Sequence, residues 1–281
     1  MIKMTLSENK IKAPVNAGQS TFEIRGAETD YRDRLHLASL FVMMQEAAYR
    51  NAEDIGIGAS SLDTRGVCWL LSKISVRMLR LPEWREKFHV TTWSRGASRL
   101  LFLRDFVFST EHKDEKTPVG YAASEWFLAD RDSHRPVRPE QIISQDDLDA
   151  YKNAPAVFDF SCPRLKNLEL PDAADPILIK YADFSDIDRN GHVNNTRYVA
   201  WAIDTLQAWL AVSNNSLKLV DMTVDGVDIQ YISEVFFGSK VWLYALPVTE
   251  DNLNDSCLLI EGRFGENQQT AFRCRVFFSK I

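Results

Sequence analysis

Leu37-Ala38-Ser39-Leu40-Phe41-Val42-Met43-Met44-Gln45-Glu46-Ala47-Ala48-Tyr49-Arg50-Asn51-Ala52-Glu53-Asp54-Ile55 is the stretch on which the fold turns. Its apolar residues Leu37, Leu40, Phe41, Met44 and Ala48 recur at steps of three and four, so the spacing predicts a helix with one buried face. Gly56 and Gly58 end it. Upstream, Phe22–Glu28 reads as a strand, followed by the polar turn Thr29–Asp33. Downstream lie strand-like runs at Val67–Met78, Phe88–Trp93, Leu100–Ser109 and Gly120–Ala129, punctuated by Pro82, Gly96 and Pro118.

The same order then returns. Pro176–Tyr181 reads as a strand, and a polar turn leads into a second helix over Val193–Leu210, with Val199, Ile203, Leu206 and Leu210 on one face. Strands follow at Thr223–Ile232, Lys240–Pro247, Ser256–Phe264 and Thr270–Ser279. Asp30 and Asp186 are separated by as many positions as His36 and His192, which suggests one register for both copies. A strand, a long helix and several antiparallel strands, twice over, read as α+β. A sheet wrapped around one long helix is the hotdog fold, so two tandem hotdog domains are expected. The division is a polar segment over 1–20, a first domain over 21–145, a linker over 146–174 carrying Pro155, Pro163 and Pro171, and a second domain over 175–281.

Composition narrows the function classes. The 281 residues are 45 % hydrophobic and 26 % charged, as in a globular protein able to bury a core without staples. Cys68, Cys162, Cys257 and Cys274 form no Cys-x-x-Cys pair and have no histidine at ligand spacing, so no metal site is expected. Cys68 and Cys274 read as small buried hydrophobes of a reducing compartment. The polar N-terminus has no apolar core of a signal peptide, and no run approaches the roughly 18 apolar residues of a membrane span. A net charge of −6 argues against nucleic-acid binding. The expected location is the cytoplasm. No nucleotide fingerprint, Gly-x-Ser-x-Gly elbow or His-Glu-x-x-His motif occurs, and no cofactor is expected.

The chemistry concentrates in Asp186-Ile187-Asp188-Arg189-Asn190-Gly191-His192-Val193-Asn194-Asn195. Asp188, Asn190 and His192 alternate, so an extended or turning segment would point them to one side, just before a helix whose N-terminus favours negative charge. An acid, an amide and an imidazole there suit thioester hydrolysis, which needs an activated water and a held oxyanion. Asn194 or Asn195 is the expected helix cap.

The run from Tyr181 through Tyr198 resembles the signature of the acyl-acyl carrier protein (acyl-ACP) thioesterases of plant plastids and bacteria, in which Asp-x-Asn-x-His-x-Asn-Asn precedes the central helix of the second hotdog domain. Trp69-Leu70-Leu71-Ser72-Lys73, Leu81-Pro82-Glu83-Trp84, Thr91-Thr92-Trp93, Arg104-Asp105 and Ser124-Glu125-Trp126 also fall where family patterns place them. The resemblance covers roughly 21–278. It implies hydrolysis of fatty acyl-ACP to free fatty acid and holo-ACP, with acyl carrier protein as partner. An acyl-CoA thioesterase of another hotdog branch and a non-enzymatic acyl-thioester sensor are the alternatives. By position, Asp188, Asn190 and His192 take the family's catalytic roles. Tyr231-Ile232-Ser233-Glu234-Val235 resembles the segment that supplies a glutamate followed, in plant members, by a cysteine. Glu234 is kept and Val235 replaces the cysteine, which favours direct attack by water with Glu234 as base. His36 is read as the match of His192, Arg34 as standing at Asn190, and Leu81 or Pro82 as standing near Glu234. The first domain is therefore expected to be non-catalytic and to wall an acyl-chain tunnel with Phe41, Met43, Met44, Trp69 and Trp93. Two fused hotdogs already make the pseudo-dimer of single-domain relatives, so monomer and homodimer both stay open.

Overall fold

A computed structural model describes residues 12–159, 161–171, 174–213, 222–248 and 256–280. Most of the expected polar segment, residues 1–11, lies outside the described residues. The chain divides into two compact units, the first ending at Cys162 and the second running from Pro163 to Ile281. That division falls inside the stretch read as linker.

The N-terminal unit contains strand β1 (Gly18–Glu23), helix α1 (Leu37–Asp54), the short helix α2 (Ala59–Leu62) and strands β2 (Val67–Met78), β3 (Lys87–Ser98), β4 (Leu101–His112) and β5 (Glu115–Asp130). A two-residue strand β6 (Pro136–Val137) pairs with β5, and helix α3 (Gln145–Tyr151) follows. All pairings are antiparallel, in the order β1-β3-β4-β5-β2. α1 buries Leu37, Leu40, Phe41, Met44 and Ala48, the stripe that its spacing predicts, against β1 and β3.

The C-terminal unit repeats the plan with β7 (Leu178–Tyr181), α4 (Asn195–Val212), β8 (Met222–Tyr231), β9 (Lys240–Pro247), β10 (Ser256–Phe264) and β11 (Gln269–Lys280). Its order, β7-β9-β10-β11-β8, is that of the first unit, element for element. α4 packs on β7, β9, β10 and β11. Its buried stripe is Tyr198, Val199, Ala202, Thr205, Leu206 and Leu210, while Ile203, expected on it, is half-buried. Each unit is thus an antiparallel sheet against one long helix, the α+β arrangement expected of a hotdog domain. No helix among the described residues is long and apolar enough to cross a membrane.

Three expectations need correction. The strand read over Phe22–Glu28 ends at Glu23, because Gly26–Glu28 forms a 3-10 turn in which Glu28 Oε2 accepts the Arg25 N–H at 2.9 Å. α4 starts at Asn195 rather than Val193, since Asn194 is the cap and its Oδ1 accepts the Thr196 N–H at 3.0 Å. Cys162, Cys257 and Cys274 are buried, but Cys68 is only half-buried.

The stretch read as linker is strapped to the sheets by buried side chains. Asp105 Oδ2 accepts the Val157 N–H at 2.7 Å, and Trp93 Nε1 donates to the Pro155 carbonyl at 2.9 Å. Burial raises the Asp105 carboxyl to about 6. Asp105 follows Arg104, which bonds α1, so strand alternation puts the strap on the sheet face away from the helix. Beyond Cys162, Gln230 Oε1 accepts the Leu165 N–H at 3.1 Å and Glu261 Oε2 the Leu168 N–H at 3.2 Å, within the second unit.

Candidate active site

The polar run before α4 is a tight turn, not an extended segment. The Asp188 N–H donates to the His192 carbonyl at 2.9 Å and the Gly191 N–H to the Asp188 carbonyl at 3.0 Å. Gly191 has φ +86, left-handed backbone that glycine tolerates. Asp188 Oδ1 accepts the Asn190 N–H at 2.8 Å, so this carboxylate holds the turn. The reversal separates the three residues expected on one side. His192 is buried, Asp188 half-buried and Asn190 exposed on the turn.

The chain after β8 then crosses the front of the helix. The Val193 N–H donates to the Val235 carbonyl at 2.8 Å, and His192 bridges to Phe236. This crossing brings Glu234 to the imidazole, with Glu234 Oε1 3.3 Å from His192 Nε2. The His192 side chain is 11 % exposed and that of Glu234 29 %, so the pair is reachable by solvent from the carboxylate side. The Phe236 ring stands edge-on to the imidazole, with centroids 6.0 Å apart. Asp186 sits apart from this pair, where Oδ1 takes Arg197 Nε at 2.6 Å and Oδ2 the Asp183 N–H at 3.1 Å.

Tyr198, which has no role in the sequence reading beyond closing the signature, lies in the first turn of α4 and belongs to the site. Its hydroxyl bonds the backbone of Val235, the residue after Glu234. Burial raises its pKa strongly, and the charges of Glu234 and Asp188 raise it further, so the phenol stays protonated beside both carboxylates. Tyr231, Trp201 and Phe272 surround its ring at centroid distances of 5.6, 5.3 and 5.1 Å. The signal in the sequence is its place four residues after the cap Asn194, at the head of the helix stripe. Gly262 pairs with Phe272, and a Cβ there would lie 2.3 Å from the Phe272 ring. Gly262→Ala is therefore expected to destabilise the unit by about 1–3 kcal/mol through overpacking. Urea unfolding measures this, and an unchanged midpoint would mean that Phe272 is not a fixed floor for Tyr198.

The first unit repeats the turn with other side chains. The Asp30 N–H donates to the Arg34 carbonyl at 2.7 Å, Leu35 N–H to Pro82 at 2.8 Å and His36 N–H to Glu28 at 2.9 Å. These match, in order, the bonds Asp188 to His192, Val193 to Val235 and Asn194 to Asp186. Arg34 therefore stands where His192 stands, Arg32 where Asn190 stands, and Leu81 where Glu234 stands. His36 is the cap of α1, the counterpart of Asn194. The expected pairing of His36 with His192 is thus two residues out of register, because it matched side-chain identities rather than backbone bonds. Arg34 Nη2 is held by Asp30 Oδ2 at 2.9 Å.

A pocket with about 400 Å³ of empty space, part of it open to solvent, lies in the N-terminal unit between α1 and the sheet. Ala48, Ala52, Trp69, Phe102, Arg104 and Trp126 are in its wall. Of the five expected tunnel residues only Trp69 lines it. Phe41, Met43, Met44 and Trp93 are at most 4 % exposed and belong to the core. Phe41, Met43 and Met44 are buried on α1, whereas Trp93 lies on the sheet face away from α1 with its Nε1 donating to the Pro155 carbonyl, a choice that helical and strand periodicity leave open.

Residues 16–145 match the acyl-ACP thioesterase N-terminal domain and residues 179–273 the acyl-ACP thioesterase C-terminal domain. An oleoyl-acyl carrier protein thioesterase of Coriandrum sativum is 23 % identical over 206 residues, 66 % of this chain and 52 % of that protein. Oleoyl-acyl carrier protein thioesterase 1 of Arabidopsis thaliana is 23 % identical over 222 residues, 72 % of this chain and 58 % of its own length. The chain thus spans little more than half the length of these chloroplastic relatives. Among solved structures, a putative oleoyl thioesterase from Lactobacillus plantarum aligns over 99 % of both chains with a TM-score of 0.78 at 20 % identity. The 12:0-ACP thioesterase from Umbellularia californica aligns over 95 % of both chains with a TM-score of 0.76 at 19 % identity, so the fold is shared across nearly the full chain.

Proposed function

The chain belongs to the acyl-ACP thioesterase family, and on that premise we propose that it hydrolyses the thioester of fatty acyl-ACP, releasing free fatty acid and holo-ACP, at His192 and Glu234 of the C-terminal unit. The observation that carries this reading is the 3.3 Å contact between the imidazole and the carboxylate at the start of α4.

Glu234, the more exposed of the pair, takes a proton from the attacking water, and His192 holds the carboxylate in position and donates toward the developing oxyanion. Asp188 fixes the turn through the Asn190 N–H. Asn190, exposed on that turn, orients the thioester carbonyl. The leaving thiol, with a pKa of about 8.5, departs as thiolate without strong acid catalysis. Val235 is fully buried, its carbonyl bonded to Val193, so the position after the glutamate supplies no nucleophile. Burial also pushes the Cys274 thiol well above its usual range. The N-terminal unit is the non-catalytic copy, since a tethered Arg34 replaces the imidazole and Leu81 the carboxylate.

Steady-state thiol release from an acyl-ACP chain-length series, with acyl-CoA esters alongside, tests the proposal. Turnover of acyl-ACP is expected, and it should persist when Cys68, Cys162, Cys257 and Cys274 are all changed to alanine. A folded protein that turns over neither thioester overturns the hydrolase reading. A folded cysteine-free variant that loses turnover overturns attack by water.

A further inference from the structure

Two phenols mark the C-terminal unit off from its copy. Tyr198 is the fourth residue of α4, and Leu40, buried like it, is the fourth residue of α1. At the end of β8 the Ile232 and Ser233 N–H groups share the Ala271 carbonyl, at 2.9 and 3.0 Å. After β2 the Leu79 and Arg80 N–H groups share the Val119 carbonyl in the same way, at 2.8 and 3.4 Å. Met78 therefore stands where Tyr231 stands. Their partners across the sheet, Gly120 and Phe272, correspond as well.

An apolar side chain fills such a place without a partner, whereas a hydroxyl taken out of water needs a hydrogen bond. What the phenols add over leucine and methionine is two such bonds at the entrance of α4. Tyr231 Oη donates to the Asn195 carbonyl at 3.0 Å. The Val235 backbone acts to lower the pKa of Tyr198, so the phenol oxygen accepts and the Val235 N–H donates. That N–H lies in the rigid peptide plane that also contains the Glu234 carbonyl. The Val235 carbonyl is taken by the Val193 N–H at 2.8 Å, so the backbone following Glu234 is held on both sides.

The first unit lacks both halves of the Tyr198 contact. Pro82, whose carbonyl accepts the Leu35 N–H, stands where Val235 stands and has no N–H to donate. Leu40 has no oxygen to accept. Donor and acceptor are present together in the unit that has Glu234 and absent together in the unit that has Leu81.

We propose that Tyr198 is a positioning residue of the hydrolase site, which holds the Glu234 carboxylate at His192 by accepting the Val235 N–H. Tyr231, whose ring stands edge-on to that of Tyr198 at 5.6 Å, fixes the ring against the head of α4. This role rests on the hydrolase reading.

Tyr198→Phe keeps the ring and removes the accepting oxygen. It should lower kcat for acyl-ACP by about tenfold or more and leave KM nearly unchanged, since alignment is lost and binding is not. In a Glu234→Gln background the same substitution should change kcat by less than about twofold, because the group it aligns has already lost its basicity. Amide exchange at Val235, followed by NMR, should become at least about tenfold faster in Tyr198→Phe. Tyr198→Leu, which copies Leu40, is the second variant and should reproduce the loss of kcat. An unchanged kcat, equal fractional losses in the two backgrounds, or unchanged exchange at Val235 overturns the positioning role. Wild-type protein without turnover, in which Val235 exchange still depends on Tyr198, overturns the hydrolase reading and leaves the contact standing.

Discussion

His192→Ala is expected to lower kcat for acyl-ACP by about a hundredfold or more, the usual scale for a positioned acid–base or orienting group. The imidazole lies 3.3 Å from Glu234 at the helix entrance. Its removal leaves the carboxylate unoriented and the oxyanion without that donor. The backbone of the turn is held independently, by Asp188 and by the Val193 bond to Val235, so the fold should survive. Arg34→Ala is the matched control, because Arg34 occupies the equivalent position in the first unit. It should cost a little stability through the lost contact with Asp30 and leave kcat nearly unchanged. Measurement of kcat and thermal midpoint for both variants decides the matter. Equal kinetic losses in two well-folded proteins would mean that the first unit contains a working site.

Glu234→Gln should lower kcat by a similar factor while leaving KM nearly unchanged, since the amide keeps the shape and loses the basicity. Glu234→Leu, which copies Leu81 of the first unit, should lose as much activity. Asp188→Asn gives the contrast. Its side-chain oxygen still accepts the Asn190 N–H, so the turn should persist and the kinetic effect be the smaller one. If Asp188→Asn proves the more damaging, Asp188 is the base, and its electrostatic reach to Tyr198 becomes the relevant contact.

How far these assignments were legible in the sequence differs from residue to residue. The register of the copies does not follow side-chain identity. His36 and His192 have the same side chain, yet backbone hydrogen bonds pair His192 with Arg34 and leave His36 as a cap. Tyr198 bonds the backbone of Val235 across more than thirty positions only because the strand after α4 returns to the helix entrance. The strap over Asp105 was unreadable for a related reason. Its backbone is satisfied by buried side chains of the sheet, and it has no periodicity of its own.

What the sequence by itself determined is local and periodic. The helix stripe of α1, the limits of β2, β9 and β10, and the repeated order of elements follow from spacings of two and 3.6 residues and from glycine and proline breaks. The family resemblance named Asp188, Asn190, His192 and Glu234 as candidates. Only the tertiary structure decided which side chains share a site and which are merely core. It placed Trp69 and Arg104 in a pocket wall, packed Phe41, Met43, Met44 and Trp93 away from it, and turned Asn190 outward while His192 went in. The reason is physical. A residue's own periodicity sets the face on which it sits, but its partner across that face is chosen by strand pairing and helix docking between segments far apart in the chain.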